Sequence, residues 1–206
     1  GTKGLGINSD GNVIRGLQIL RFPSQGIDIE NGSKNNIIKS NVISGNGHGG
    51  EWGVGIHIRD IGTMNNVIVG NFIGTDATGK EAFGNKDAGI QIGGGASNNR
   101  IGGTNIVERN IISGNGAEGI NFMGEEVNGN SVIGNYIGTD VSGTVNLGNK
   151  GIGVVIWVGA FNNLVERNLI SANKGPGVLI GDWGSSYNTV IGNLIGTDVT
   201  GTLAIQ

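Results

Sequence analysis

Cysteine is absent from the sequence, so no disulfide framework exists and the redox compartment leaves no mark. Only two prolines occur, and no Gly-X-Y period runs through the chain, which excludes collagen and polyproline architectures. Aromatic residues make up 5% and hydrophobic residues 36%, thin for a globule packed from layers of helix and sheet. No apolar run approaches the roughly 20 residues that a membrane-spanning helix needs. A formal charge of −3 with scattered bases gives no footprint for nucleic acid. The chain begins at Gly1 with no Met and no signal peptide, which points to a mature protein or an excised piece.

What is present is glycine and asparagine. The 43 Gly are about three times the usual frequency of roughly 7%. Asn numbers 28, many in pairs or beside Gly. Both residues tolerate positive φ, so the chain must turn often and tightly. The apolar residues are mainly Ile and Val, which favour strands.

Two short phrases alternate along the chain. The first is Asn-x-(Ile/Val) with a second Asn at the sixth position and Ile at the eighth. It runs from Asn36 to Ile43, Asn66 to Ile73, Asn105 to Ile112, Asn130 to Ile137, Asn163 to Ile170 and Asn188 to Ile195. A weaker copy spans Asn12 to Ile19, with Leu17 in place of the second Asn. The second phrase is Gly-Ile-x-Ile or a near variant, beginning at Gly26, Gly55, Gly89, Gly119, Gly153 and Gly177. Long coils add Ile-Gly-Thr-Asp, ending at Asp76, Asp140 and Asp198, where short coils carry Ile-Ser-(Gly/Ala)-Asn, ending at Asn46, Asn115 and Asn173.

Three short apolar strands per repeat, separated by Gly/Asn turns, cannot bury a face alone. Stacked on their copies they form three parallel sheets around one elongated core. The expected fold is therefore an all-β, right-handed parallel β-helix of about seven coils, since parallel crossovers are right-handed. Residues 1–206 read as a single β-helix domain. The chain stops at Gln206 inside a repeat, so a segment of a longer solenoid is expected, or ends that self-associate. The Ile29, Ile58, Ile92, Phe122, Ile156 and Ile180 column should point inward. Asn41, Asn71, Asn110, Asn135, Asn168 and Asn193 should occupy a tight turn in the left-handed conformation, each bonding along the axis to the next coil.

The Ile-Gly-Thr-Asp and Ile-Ser-Gly-Asn phrases resemble those of secreted bacterial right-handed β-helix repeat proteins of the pectate-lyase-like superfamily. The resemblance covers nearly the whole chain. It implies the fold and an extracellular location, secreted or cell-surface, while the superfamily spans lyases, hydrolases, epimerases, phage tailspikes and proteins of unknown role.

Enzymes of that superfamily commonly use the groove along the first sheet. Its outward residues read Asp28, His57, Gln91, Asn121, Val155 and Leu179, then Glu30, Arg59, Gly93, Met123, Trp157 and Gly181. Charge gathers at Asp28, Glu30, His57, Arg59 and Asp60, a set that suits a polysaccharide lyase holding Ca²⁺ and a base for the C5 proton. The alternative is that exposed strand faces carry charge anyway. Gly47-His48-Gly49 matches a tripeptide of pectin-cleaving glycosidases, but their aspartate motifs are missing and no carboxylate pair is marked. Asp76, Asp140 and Asp198 form a row that could hold Ca²⁺. Each is better read as the first residue of a type I turn whose fourth is Gly, so no resident metal or cofactor is expected.

Trp52, Trp157 and Trp183 could stack on sugar rings. Val69, Ile133 and Ile191 with Phe72, Tyr136 and Leu194 make an outward apolar stripe, which the long loops should cover with Phe83, Leu147 and Ile205. Three functions remain open: a structural or carbohydrate-binding module of a secreted or cell-surface protein, a polysaccharide lyase or hydrolase in the first-sheet groove, and a self-assembling fibre or surface-layer subunit. The corresponding partners are a polysaccharide or further copies of the chain.

Overall fold

Strands of two to four residues satisfy their backbone only by pairing with strands from other coils. The computed structural model describes residues 1–49 and 52–205, and Gln206 lies outside them. Three seven-stranded parallel sheets run the length of the molecule, each strand paired with its copy one coil away. The first sheet contains Leu5–Ile7, Ile27–Ile29, Ile56–Ile58, Ile90–Gly93, Ile120–Met123, Val154–Trp157 and Val178–Ile180. The second contains Val13–Arg15, Ile37–Lys39, Val67–Val69, Arg100–Gly102, Ser131–Ile133, Leu164–Glu166 and Thr189–Ile191. The third contains Gln18–Leu20, Val42–Ser44, Phe72–Ile73, Ile111–Ile112, Tyr136–Ile137, Leu169–Ile170 and Leu194–Ile195. The fold is a right-handed parallel β-helix of seven coils. All six Gly-Ile-x-Ile phrases fall on the first sheet, and Gly4-Leu5-Gly6-Ile7 supplies a seventh copy.

The inward column runs as expected from Ile29 through Ile58, Ile92 and Phe122 to Ile156, all fully buried. Its last member, Ile180, is 42% exposed because it belongs to the final coil of the stack.

Three asparagine ladders, not one, mark the corners of the coil. One comprises Asn12, Asn36, Asn66, Asn99, Asn130, Asn163 and Asn188. Another is the Asn41 to Asn193 series. A third joins Asn46, Asn85, Asn115, Asn149 and Asn173, linking the short-coil turns to the tails of the long loops. In each ladder the side-chain amide donates to the next Asn carbonyl oxygen and to a backbone carbonyl. Asn66, for example, donates to Asn99 Oδ1 at 2.9 Å and to Ser33 O at 3.0 Å.

Two expectations change. The ladder asparagines do not adopt the left-handed conformation; at most corners the residue before them does, as at Ser40 (φ 55°), Gly134 (φ 66°) and Arg167 (φ 54°), whereas Arg109 before Asn110 is extended at φ −61°. The positive φ turns the corner, which frees the following Asn to face inward. The copy at Asn105 is also displaced. Asn99 holds the ladder position and Ile101 points inward, whereas Asn105 caps a single 3-10 turn, Ile106–Glu108, on an insertion that loops outward. Burial decides it: Asn99 is 1% exposed, and Ile106 and Val107 are 71% and 74% exposed.

The long loops do cover the third sheet, by different residues. Gly79 packs against Phe72 and Val141, and Gly143 against Tyr136, Leu169 and Val199. Successive long loops bond directly, Val141 N–H to Gly79 O at 2.9 Å and Val199 N–H to Gly143 O at 3.0 Å. Phe83, Leu147 and Ile205 instead accept from Gly45, Gly114 and Ala172 of the preceding coil. Val69 and Ile133, on the second sheet, stay half-buried and Ile191 is exposed, because the long loops lie over the third sheet.

Candidate functional site

The register of the first sheet places Asp28, His57, Gln91, Asn121, Val155 and Leu179 in one outward column. The neighbouring column holds Gly93, Met123 and Trp157. Outward does not mean exposed here: Asp28 is 1% and His57 6% exposed.

All five charged candidates converge. Arg59 donates to Asp28 through Nε at 3.3 Å and Nη2 at 3.2 Å, and to Glu30. Its Nη1 lies 3.6 Å from Asp60 Oδ1, while Asp60 Oδ2 accepts from Asn31 N–H at 2.9 Å. Lys3, which sequence reasoning missed, bonds Glu30 at 2.7 Å and pairs with Asp28 as well. Its signal was the divergent phrase Gly4-Leu5-Gly6-Ile7, which puts Lys3 immediately upstream of the seventh copy.

Three carboxylates against two cations and a neutral imidazole leave one net negative charge. Burial pushes His57 below its ordinary 6.5, against the pull of Asp28 and Asp60, and Lys3 adds to the fall. His57 Nδ1 lies 3.5 Å from Asp28 Oδ1 yet makes no hydrogen bond among the described residues. Lys3 and Arg59, about one-third exposed, close over the carboxylates. Among the described residues the network is a closed set of ion pairs, and Asp28, 1% exposed, does not reach a substrate directly.

Beside it the face opens. A hollow of 270 Å³ is lined by Trp52, Asp87, Gln91, Glu118, Asn121 and Met123, among others. Trp52 is half exposed, with its ring centroid 5.9 Å from that of His57. Asp87 accepts from Gly53 N–H at 2.6 Å, and Trp157 Nε1 donates to Asn121 Oδ1 at 2.9 Å. Trp52 and Trp157 thus flank Asn121, whereas Trp183, 96% exposed, projects from a turn of the last coil. Asp87 and Glu118 lie two and one residues before their Gly-Ile-x-Ile phrases, in adjacent positions that no motif marks.

The aspartate row consists of three equivalent turns. Asp76 Oδ1 accepts from the N–H groups of Lys80 and Glu81, and Oδ2 from the Thr78 hydroxyl at 2.7 Å. Gly79 N–H closes the turn on Asp76 O at 3.1 Å. Asp140 and Asp198 repeat the pattern with Ser142 and Thr200. Burial alone would raise the Asp76 and Asp140 carboxyls, but these donors outweigh it and hold both below the ordinary value. At Asp198 the Thr200 hydroxyl is the main cause of the same lowering. His48, of the Gly-His-Gly tripeptide, lines a different hollow with Lys86 and Lys150, away from the carboxylate cluster.

No protein-family model and no curated protein matches the chain. Among solved structures it is similar to a mutant of the periplasmic alginate epimerase AlgG, at 18% identity and a TM-score of 0.62. The match covers 94% of this chain and 45% of that one, so the chain spans less than half of that protein's length. At this identity the likeness is one of fold, the parallel β-helix.

Proposed function

We propose that the chain is a carbohydrate-binding β-helix module of a secreted or cell-surface protein. Its ligand lies in the first-sheet hollow. The observation that carries this reading is Trp52, an exposed ring at the edge of a hollow lined by the amides of Gln91 and Asn121. A flat apolar ring beside amide and carboxylate groups suits a sugar, which has an apolar face and a hydroxyl edge. An extracytoplasmic setting agrees with the periplasmic location of the structural neighbour.

The test is calorimetric titration with neutral and acidic oligosaccharides. Trp52→Ala is expected to weaken the best ligand about tenfold, since losing one stacked ring costs roughly 1 kcal/mol or more. Undiminished affinity would remove the hollow from consideration.

A second reading, a lyase or epimerase-like enzyme, rests on one observation: burial lowers the pKa of His57, whose Nδ1 has no hydrogen-bond partner among the described residues and lies beside Asp28 and Arg59. Acidic polysaccharides would be screened for unsaturated ends, reducing ends or inverted C5 centres. Activity surviving Arg59→Ala combined with Asp28→Ala would exclude this site.

A further inference from the structure

The insertion that displaced the Asn105 phrase builds a second concavity, on the second sheet. Residues 103–109 leave the coil after Gly102 and fold back toward the preceding coils, where Gly70 N–H donates to Glu108 O at 3.1 Å. The flap is held in place by Arg100–Glu108 at 2.9 Å and by Arg109, whose guanidinium stacks 3.9 Å from the Tyr136 ring centroid. Between this wall and the first two coils lies a hollow of 520 Å³, lined by Arg15, Lys39, Ser40, Val69, Val107 and Glu108, among others.

Arg15 and Lys39 are cross-strand partners in register, continuing to Val69. Like charges directly opposite on adjacent strands destabilise a sheet, and the spacing here is only about 4.8 Å. Neither forms an ion pair among the described residues, and Glu108, the acid of the hollow, is already bound by Arg100. A chain with a net charge of −3 therefore concentrates two uncompensated cations in one preformed cavity.

We propose that this hollow binds an acidic saccharide, with the carboxylate or sulfate of one sugar held between Arg15 and Lys39. The Arg15 fork matches an oxyanion bidentately and Lys39 adds a point charge. Val69 and Val107 offer apolar contact to the ring, and the exposed Ser40 hydroxyl is available to a sugar hydroxyl. The volume falls within the about 300–1,000 Å³ usual for ligand clefts. The site is on a different face from Trp52 and selects on charge, so it stands or falls independently of the first-sheet reading.

The experiment is calorimetry on the whole chain with a uronate trisaccharide, a sulfated trisaccharide, the carboxyl-reduced neutral trisaccharide and inorganic sulfate. One or both acidic trisaccharides should bind at least tenfold more tightly than the neutral one, and the tighter of the two identifies the anion. In a Trp52→Ala background, which removes the contribution of the first-sheet hollow, Arg15→Gln with Lys39→Gln should weaken that binding at least tenfold, and Val107→Glu at the mouth should also weaken it. Equal affinity for the neutral trisaccharide, or acidic binding that survives the double substitution, overturns the proposal. So does the absence of any acidic binding in the Trp52→Ala background, or inorganic sulfate binding as tightly as either acidic trisaccharide.

Discussion

At the scale of single residues, the corners of the coil divide two tasks between neighbours. One residue takes positive φ and the next buries an amide. Val158 takes φ 54° at the turn after the first sheet, where no ladder asparagine follows and other coils place Asn31 and Gly94. A β-branched residue in the left-handed region is strained by roughly 1–2 kcal/mol, while glycine there adds back about 0.5–1 kcal/mol of chain entropy. Val158→Gly is therefore expected to stabilise by about 1 kcal/mol, raising Tm by about 2–4 °C in a domain of this size. A lower Tm would show that the 40% exposed Val158 side chain contributes more packing than its exposure suggests. Asn135 illustrates the second task. Its carbonyl oxygen accepts from Asn110 and its amide donates to Asn168, Ile101 and Ile133. Asn135→Val orphans several of these buried groups at about 1–3 kcal/mol each. A loss of about 3 kcal/mol or more is expected in denaturant unfolding, and an unchanged midpoint would mean that the ladder is not structural.

At the scale of elements, the long loops act as a second layer, bonded to one another across the short coils they skip. Each is shaped by its aspartate. Asp140→Ala removes the acceptor for Ser142, Thr144 and Val145 and should cost about 1–2 kcal/mol, the scale of a lost cap. The folded-state value of this carboxyl is lowered, so its contribution is fully present above the ordinary 3.8. It is lost as pH falls from there through the lowered value. The stabilities of the native chain and Asp140→Ala should therefore converge below pH 3.8, and a constant gap down to the acid limit would contradict the assignment. Calorimetry with Ca²⁺ is expected to show no micromolar binding at these loops, because the carboxylate oxygens already accept from their own turns. A micromolar site abolished by Asp140→Ala would reverse that view.

At the scale of the molecule, each coil contacts its neighbours and, through the long loops, the next coil but one, so stability should vary along the axis. Ile180, Ile191 and Ile195 of the seventh coil are 42%, 56% and 47% exposed, whereas Ile92, Ile101 and Ile112 in the middle are fully buried. Hydrogen exchange should be slowest at the amides of Ile112, Ile120 and Ile137 and fastest at Gly181, Leu194 and Gly196. Uniform protection over all seven coils would indicate a single cooperative unit.

The sequence by itself determined the coil. Strand positions, inward columns and the outward Asp28–His57–Gln91–Asn121 row all follow from a period-two pattern repeated in register, because a parallel ladder stacks like on like. The gathering of Asp28, Glu30, His57, Arg59 and Asp60 was legible for the same reason. Only the tertiary structure decided how those charges are used. Lys3 closes the cluster from a copy too degenerate to recognise, and Asp87 and Glu118 line the hollow from positions with no shared residue type. Periodicity failed most clearly at Asn105, which carries the ladder phrase and is not in the ladder. A phrase states which residues could fill a corner, but whether they do depends on burial. The buried Asn99 with Ile101 excluded Asn105 and left residues 103–109 to form a flap that no repeat predicts.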